Sequence, residues 1–239
     1  MFKRKDPFVT DNIYHTFNKT IEHKRIFESY EIASKFLEII RYYRSSSIHM
    51  KFSHFEKLSP ILKKMYEEKL LNESTFRVNI LSFCIMPTHF HLLLKQIENN
   101  GVSFYLSQIQ NSLTRYFNIK YNRMGPLFVQ TFKSVLIKTE DQLKHVSRYI
   151  HLNPYSSAII SSSELLENYP WSSFHEYLNK HSSRLDLTQP KYILNLFNNN
   201  KKRYKTFVLS NAQHQKTLEY CKYSARWNAN SPTFKVEQL

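Results

Sequence analysis

Glycine and cysteine are nearly missing from this 239-residue sequence, which holds two of each. With only Gly101 and Gly125, it cannot build the glycine-rich loops that cradle nucleotide phosphates, so Walker-type and dinucleotide-binding chemistry is excluded and no nucleotide cofactor is expected. Cys84 and Cys221 are too few for a disulfide framework or a cysteine zinc site, so any metal takes other ligands. Long apolar runs are absent too. The longest, residues 80–86, falls far short of the roughly 18 residues of a membrane span. Met1-Phe2-Lys3-Arg4-Lys5-Asp6 lacks the apolar stretch of a secretory signal, so a cytoplasmic protein outside the membrane is expected.

Acidic residues are in short supply as well: 19 Asp plus Glu face 34 Lys plus Arg, a formal charge of +15. Such an excess favours a polyanionic partner, either nucleic acid or an anionic membrane surface. The length suits one main domain with room for an appendage. Residues 180–239 carry 11 Lys plus Arg against 3 acids, so more than half of the excess lies there.

Hydrophobic periodicity predicts the elements. Residues 13–17 read as a strand, and 31–43 as a helix with Ile32, Phe36, Ile39, Ile40 and Tyr43 at helical spacing. A further helix is predicted over 59–71, and a buried strand over 77–86. After the Pro87-Thr88 turn, residues 89–96 alternate: Phe90, Leu92 and Leu94 take one face, His89, His91, Leu93 and Lys95 the other. A long amphipathic helix over 102–121 follows, then a strand over 132–137. Thr139 opens a last helix with capping-box spacing to Gln142, and Asn153-Pro154 is expected to stop it. The order strand, helix, strand, strand, helix, strand predicts an α+β fold: a ferredoxin-like split βαβ antiparallel sheet with helices on one face, plus a C-terminal helical appendage. The expected division is 1–178 for the catalytic domain and 179–239 for a basic helical extension. In the extension, residues 192–196 and 204–209 read as short helices, with a frayed end after Ser224.

Two segments carry candidate chemistry. His89 and His91 lie two apart on a strand, so both project from one face and can grip one ion. Eleven histidines among 239 residues give about half an H-x-H by chance, so the pair alone is weak evidence; the alternation that sends Phe90 to the opposite face sharpens it. In Arg148-Tyr149-Ile150-His151-Leu152-Asn153-Pro154, Leu143, Val146 and Ile150 form the buried stripe of the helix. Gln142, His145, Tyr149 and Asn153 form its neighbour, so Tyr149 and Asn153 face the same way. Each has a plainer reading. Most of the 16 tyrosines are packing residues, and Asn before Pro is a common helix stop.

Together these segments resemble the REP-associated tyrosine transposases, members of the HUH superfamily of single-strand nucleases. The resemblance rests on Tyr14-His15-Thr16-Phe17-Asn18-Lys19, Met86-Pro87-Thr88-His89-Phe90-His91-Leu92-Leu93-Leu94, and Ser112-Leu113-Thr114-Arg115-Tyr116-Phe117-Asn118. It continues through Leu127-Phe128 with Phe132-Lys133-Ser134, the Tyr149 segment, and Tyr169-Pro170-Trp171-Ser172-Ser173, in the family's order over roughly residues 8–178. Thr88 stands where the family usually has Asn, Lys19-Thr20 replaces a common Arg-Gly, and Thr131 sits where a basic residue is common.

The resemblance implies that Tyr149 is the nucleophile that cleaves and rejoins single-stranded DNA at hairpin, REP-like sequences through a 5′-phosphotyrosine. It implies that His89, His91 and Asn153 hold a divalent metal, Mg²⁺ or Mn²⁺. Arg115, Tyr116, Lys133, Lys144 and Arg148 are the candidate DNA contacts, the cations for phosphate and Tyr116 for base stacking. The expected assembly is a monomer or homodimer. Two other classes compete: a catalytically silent hairpin-binding protein, and an RNA-binding or membrane-surface protein that would explain the charge but neither segment.

Overall fold

The computed structural model describes residues 7–178 and 187–230, with side chains described as far as Cys221. Met1 to Asp6 and the 178/179 domain boundary's far side, residues 179–186, lie outside the described residues, as do residues 231–239. In chain order the elements are β1 (Ile13–Lys19), α1 (Tyr30–Arg44), α2 (Phe52–Phe55), α3 (Pro60–Leu71), β2 (Val78–Met86), β3 (His89–Gln96), α4 (Gly101–Lys120), β4 (Lys133–Ile137) and α5 (Glu140–Ser156). They continue as α6 (Phe174–Tyr177), α7 (Lys191–Leu194), α8 (Lys201–Leu209) and α9 (Ala212–Asn230).

The strands form one antiparallel sheet in the order β2-β3-β1-β4. One face carries Phe90, whose ring meets Phe36 of α1 at 5.1 Å. Helices α1 and α4 pack together over that face, joined where the Tyr105 hydroxyl donates to the Ile40 carbonyl at 3.1 Å. Ser29 caps α1 by accepting from the Ile32 N–H, and Ile32, Phe36, Ile39 and Ile40 are all fully buried, as their helical spacing requires.

The sequence predicts helices on one face of the sheet only, and the structure corrects this. α5 packs against β2 and β3 from the other side. The cause lies in the strands: all nine residues of β2 are buried, and Leu93 on the histidine side of β3 is buried too, so both sheet faces need cover. α5 also runs past its expected stop. Pro154 sits inside it and the helix ends at Ser156. So near the C-terminus, the missing N–H forfeits a single ladder bond, and the Pro154 carbonyl is used by the Ile159 and Ile160 N–H groups.

The edge strand β2 is sealed by residues 171–173: the Ile85 N–H donates to the Trp171 carbonyl at 2.8 Å, and the Ser173 N–H to the Phe83 carbonyl at 3.0 Å. The Tyr169 hydroxyl adds a bond to the Ile85 carbonyl at 2.9 Å. This gives the Tyr169-Pro170-Trp171-Ser172-Ser173 segment a physical task, the covering of unpaired strand groups.

The C-terminal helices rest on α5. α8 buries Tyr204 against it, and from α9 the Gln215 side chain donates to the Tyr149 backbone carbonyl at 3.1 Å. Instead of fraying after Ser224, the chain stays helical to Asn230.

Gly101 opens α4 directly over the start of β2. A methyl group there would run into the Arg77 carbonyl, which already accepts from the N–H groups of Ile97 and Glu98 at 3.0 and 3.1 Å. Gly101→Ala is therefore expected to destabilise the fold by about 1–3 kcal/mol, read from urea unfolding, whereas an unchanged midpoint would show that this junction yields freely.

Candidate active site

The face of β3 turned toward α5 carries His89 and His91, and strand alternation places both there while Phe90 joins the opposite core. Antiparallel pairing sets Phe17 of β1 opposite His91 and brings His15 beside it. Tyr149 and Asn153, one turn apart on α5, meet this face from above. The Tyr149 ring lies 5.6 Å from that of His91 and 6.0 Å from that of His15, and the His89 and His91 rings are 5.1 Å apart. His89, His91, Tyr149 and Asn153 all line one cavity of about 270 Å³.

The imidazoles are kept neutral. Burial pushes His89 down to about 4, with nearby His23 and Lys19 acting the same way and Glu219 opposing them. His91 is held well below the ordinary range by burial, then by His15 and His89, and burial alone takes His15 to about 4. Neutral rings retain the lone pair that a metal ligand needs. Asn153 is buried, and its amide nitrogen has no hydrogen-bond partner among the described residues. Two neutral imidazoles suit a divalent ion, and the Asn153 side-chain oxygen, not its N–H group, is the third candidate donor. Among the described residues no group of three or more His, Cys, Asp or Glu side chains forms a metal cage.

The candidate DNA contacts separate. Lys133 borders the cavity from β4. Lys144 pairs with Asp141 at 3.0 Å, and Arg148 lies over the Phe207 ring at 4.4 Å and donates to His145 at 2.7 Å, so both stay on α5 without lining the cavity. Arg115 and Tyr116 belong to α4, across the sheet, where they border a separate groove of about 450 Å³. The Tyr116 hydroxyl donates to Glu31 at 2.6 Å, and burial and this acid raise it to about 12.

Several residues escaped the sequence reading, among them Lys19, His23 and Glu219 on the cavity wall and His15, which lies behind it beside His91. His15 shares the alternation of β1 with Phe17, a signal that becomes useful only once the β1–β3 register is known. Glu219 arrives on α9, and nothing local in the sequence links it to β3.

α5 is itself pinned by a buried network. His151 bonds Ser173 through Nε2 at 2.8 Å and the Tyr204 hydroxyl through Nδ1 at 2.7 Å, and that hydroxyl also meets Ser147. One histidine thus ties the helix bearing Tyr149 to α8 and to the strip that seals β2.

Residues 56–153 match the family described as "Transposase IS200 like". A Haemophilus influenzae protein named "Putative REP-associated tyrosine transposase" is 29% identical over 106 residues, 40% of this chain and 58% of that protein. The chain thus spans under three-fifths of the relative's length. A solved REP-associated tyrosine transposase bound to a REP hairpin superposes with a TM-score of 0.52 at 11% identity, over 79% of this chain and 98% of that one, and shares the fold. The shared fold is mixed α/β, a small antiparallel sheet flanked by helices. The chain is thus similar to the IS200-like transposases over residues 56–153 and to a REP-associated tyrosine transposase over part of its length. No helix among the described residues is long and apolar enough to cross a membrane.

Burial of these histidines has a consequence for stability. His151 is pushed down to about 3, and His15 and His89 to about 4, whereas in the unfolded chain each returns to about 6.5. A folded value below the unfolded one means that the unfolded chain takes up the extra protons. The stabilisation is thus complete above about pH 6.5 and is lost as pH falls, down to about 4 for His15 and His89 and about 3 for His151. The melting temperature should decline steadily through that window. His151→Gln should lower it near neutral pH yet flatten the decline, and a profile unaltered in shape would contradict the assignment.

Proposed function

We propose that this protein is an endonuclease and strand transferase that binds, cuts and rejoins single-stranded DNA at hairpin, REP-like sequences. The observation that carries the reading is the meeting of Tyr149 with the neutral pair His89 and His91, beside Asn153, in one cavity. We read the sheet as the ferredoxin-like split βαβ arrangement. Residues 1–178 form the catalytic domain, and 179–239 a basic helical extension that backs α5. The protein works in the cytoplasm, where its DNA is.

Tyr149 is the nucleophile. Its oxygen forms a bond to the scissile phosphorus as the bond from phosphorus to the 3′-oxygen breaks. The phenol gives up its proton, the departing oxygen gains one as a 3′-hydroxyl, and the 5′-phosphate stays on Tyr149. Reversal by a 3′-hydroxyl rejoins the strand, and since the tyrosyl phosphodiester keeps the bond energy, no nucleotide is consumed.

A phenol with a pKa near 10 attacks poorly, and negative charge gathers on the phosphate as it does so. His89, His91 and Asn153 would hold Mg²⁺ or Mn²⁺, which supplies Lewis-acid stabilisation of that charge. All three ligands are neutral, so they leave the ion's full charge for the phosphate. α5 fixes Tyr149 and Asn153 together through the i, i+4 relation, and the His151 network holds that helix in place. Lys133 on the cavity rim meets the strand's phosphates, Lys144 and Arg148 contact it further along α5, and Arg115 with Tyr116 forms a separate contact across the sheet.

Incubation with hairpin oligonucleotides and Mn²⁺ or Mg²⁺ should give a covalent adduct that survives a denaturing gel. Tyr149→Phe should abolish it and leave binding intact. An adduct persisting in that variant rules out the nucleophile, and hairpin binding with no adduct from the wild-type protein supports the silent binder instead. If roughly six phosphates are neutralised, the logarithm of the binding constant should fall against log salt with a slope near −5. A slope near zero would remove the electrostatic basis of binding.

A further inference from the structure

The contact between His15 and His91 determines which nitrogen His91 can offer to a cation. His15 Nε2 lies 2.9 Å from His91 Nδ1, and the rings stack with centroids 5.1 Å apart at 24°. Both side chains are buried, and Phe17 flanks them at 5.2 and 5.5 Å. Between two neutral imidazoles in contact through ring nitrogens, one must donate and the other accept. Because this contact occupies Nδ1 of His91, only Nε2 is left to bind an ion. A ligating nitrogen carries no proton, so the His91 proton must sit on Nδ1, with His15 Nε2 as acceptor and the His15 proton on its own Nδ1.

His89 shows the same arrangement with a different partner: its Nδ1 lies 3.0 Å from the Thr88 hydroxyl. Both strand histidines therefore have Nδ1 engaged and Nε2 left over.

We propose that His15 is a positioning residue, which accepts the Nδ1–H of His91 and so fixes the tautomer and ring orientation in which His91 presents Nε2 to a divalent cation. The inference rests on the proposed role of His91 as a ligand. His15 acts through His91, to which its Nε2 is bonded, while its ring also meets that of Tyr149 edge-on at 6.0 Å. Partners of this kind typically change metal affinity by about 10–100-fold.

The test uses the full chain without metal, then with Mn²⁺. Long-range ¹H–¹⁵N NMR of the imidazoles should show His91 as the Nδ1–H tautomer in the metal-free wild type. His15→Leu, which removes the acceptor and keeps an apolar side chain, should lose that preference. His15→Gln, whose Oε1 can accept the same hydrogen, should restore it. Mn²⁺ titration followed by EPR should show affinity falling about 10–100-fold in His15→Leu and close to wild type in His15→Gln, with melting curves confirming that both fold. A metal-free wild type with the proton on Nε2 of His91, or Leu and Gln variants with equal Mn²⁺ affinity, overturns the positioning role alone. Mn²⁺ affinity unchanged by His91→Ala overturns the cation reading and this proposal with it.

Discussion

The antiparallel pairing of β1 with β3 is the constraint on which everything else depends. Phe17 stands opposite His91 in that ladder, and a slip of one residue would send both strand histidines into the core occupied by Phe90 and Phe36. Apolar burial on the α1–α4 side therefore determines where the polar face points. The hydrophobic core of one face and the imidazole cluster of the other arise from the same alternation.

On that face the polar groups exist at a cost. Imidazoles taken out of water lose the option of charge, and an asparagine with an unpartnered amide nitrogen is retained in a buried position. Such features concentrate where a protein keeps a site ready for a ligand, and here they coincide with a tyrosine held from the opposite layer. α5 needs firm anchoring for that to work. His151, Ser147, Tyr204 and Gln215 supply it, and the basic C-terminal region thereby becomes part of the frame around Tyr149.

Much of this was legible in the sequence because it is written in local periodicity. β3 was read with the boundaries it has, and the helical stripe carrying Tyr149 and Asn153 was visible in steps of four. The failures share a cause, which is that they depend on neighbours distant in the chain. α5 lies on the second face because β2 is buried on both sides, a fact that follows from its environment. Pro154 is tolerated because the helix has only two more residues to run. His15 needs a register, Glu219 needs the docking of α9, and Tyr116 looks like a stacking platform until Glu31, 85 positions away, is seen to engage its hydroxyl.

The strip over β2 leaves the sheet lopsided. One border is closed by the protein's own backbone, and among the described residues no strand joins the outer side of β4. A second polypeptide seeking to extend the sheet has a single margin available, and there it meets Lys133, a cation that deters another chain from adding itself while remaining hospitable to a phosphate. The same lysine also borders the cavity that holds His89, His91 and Tyr149.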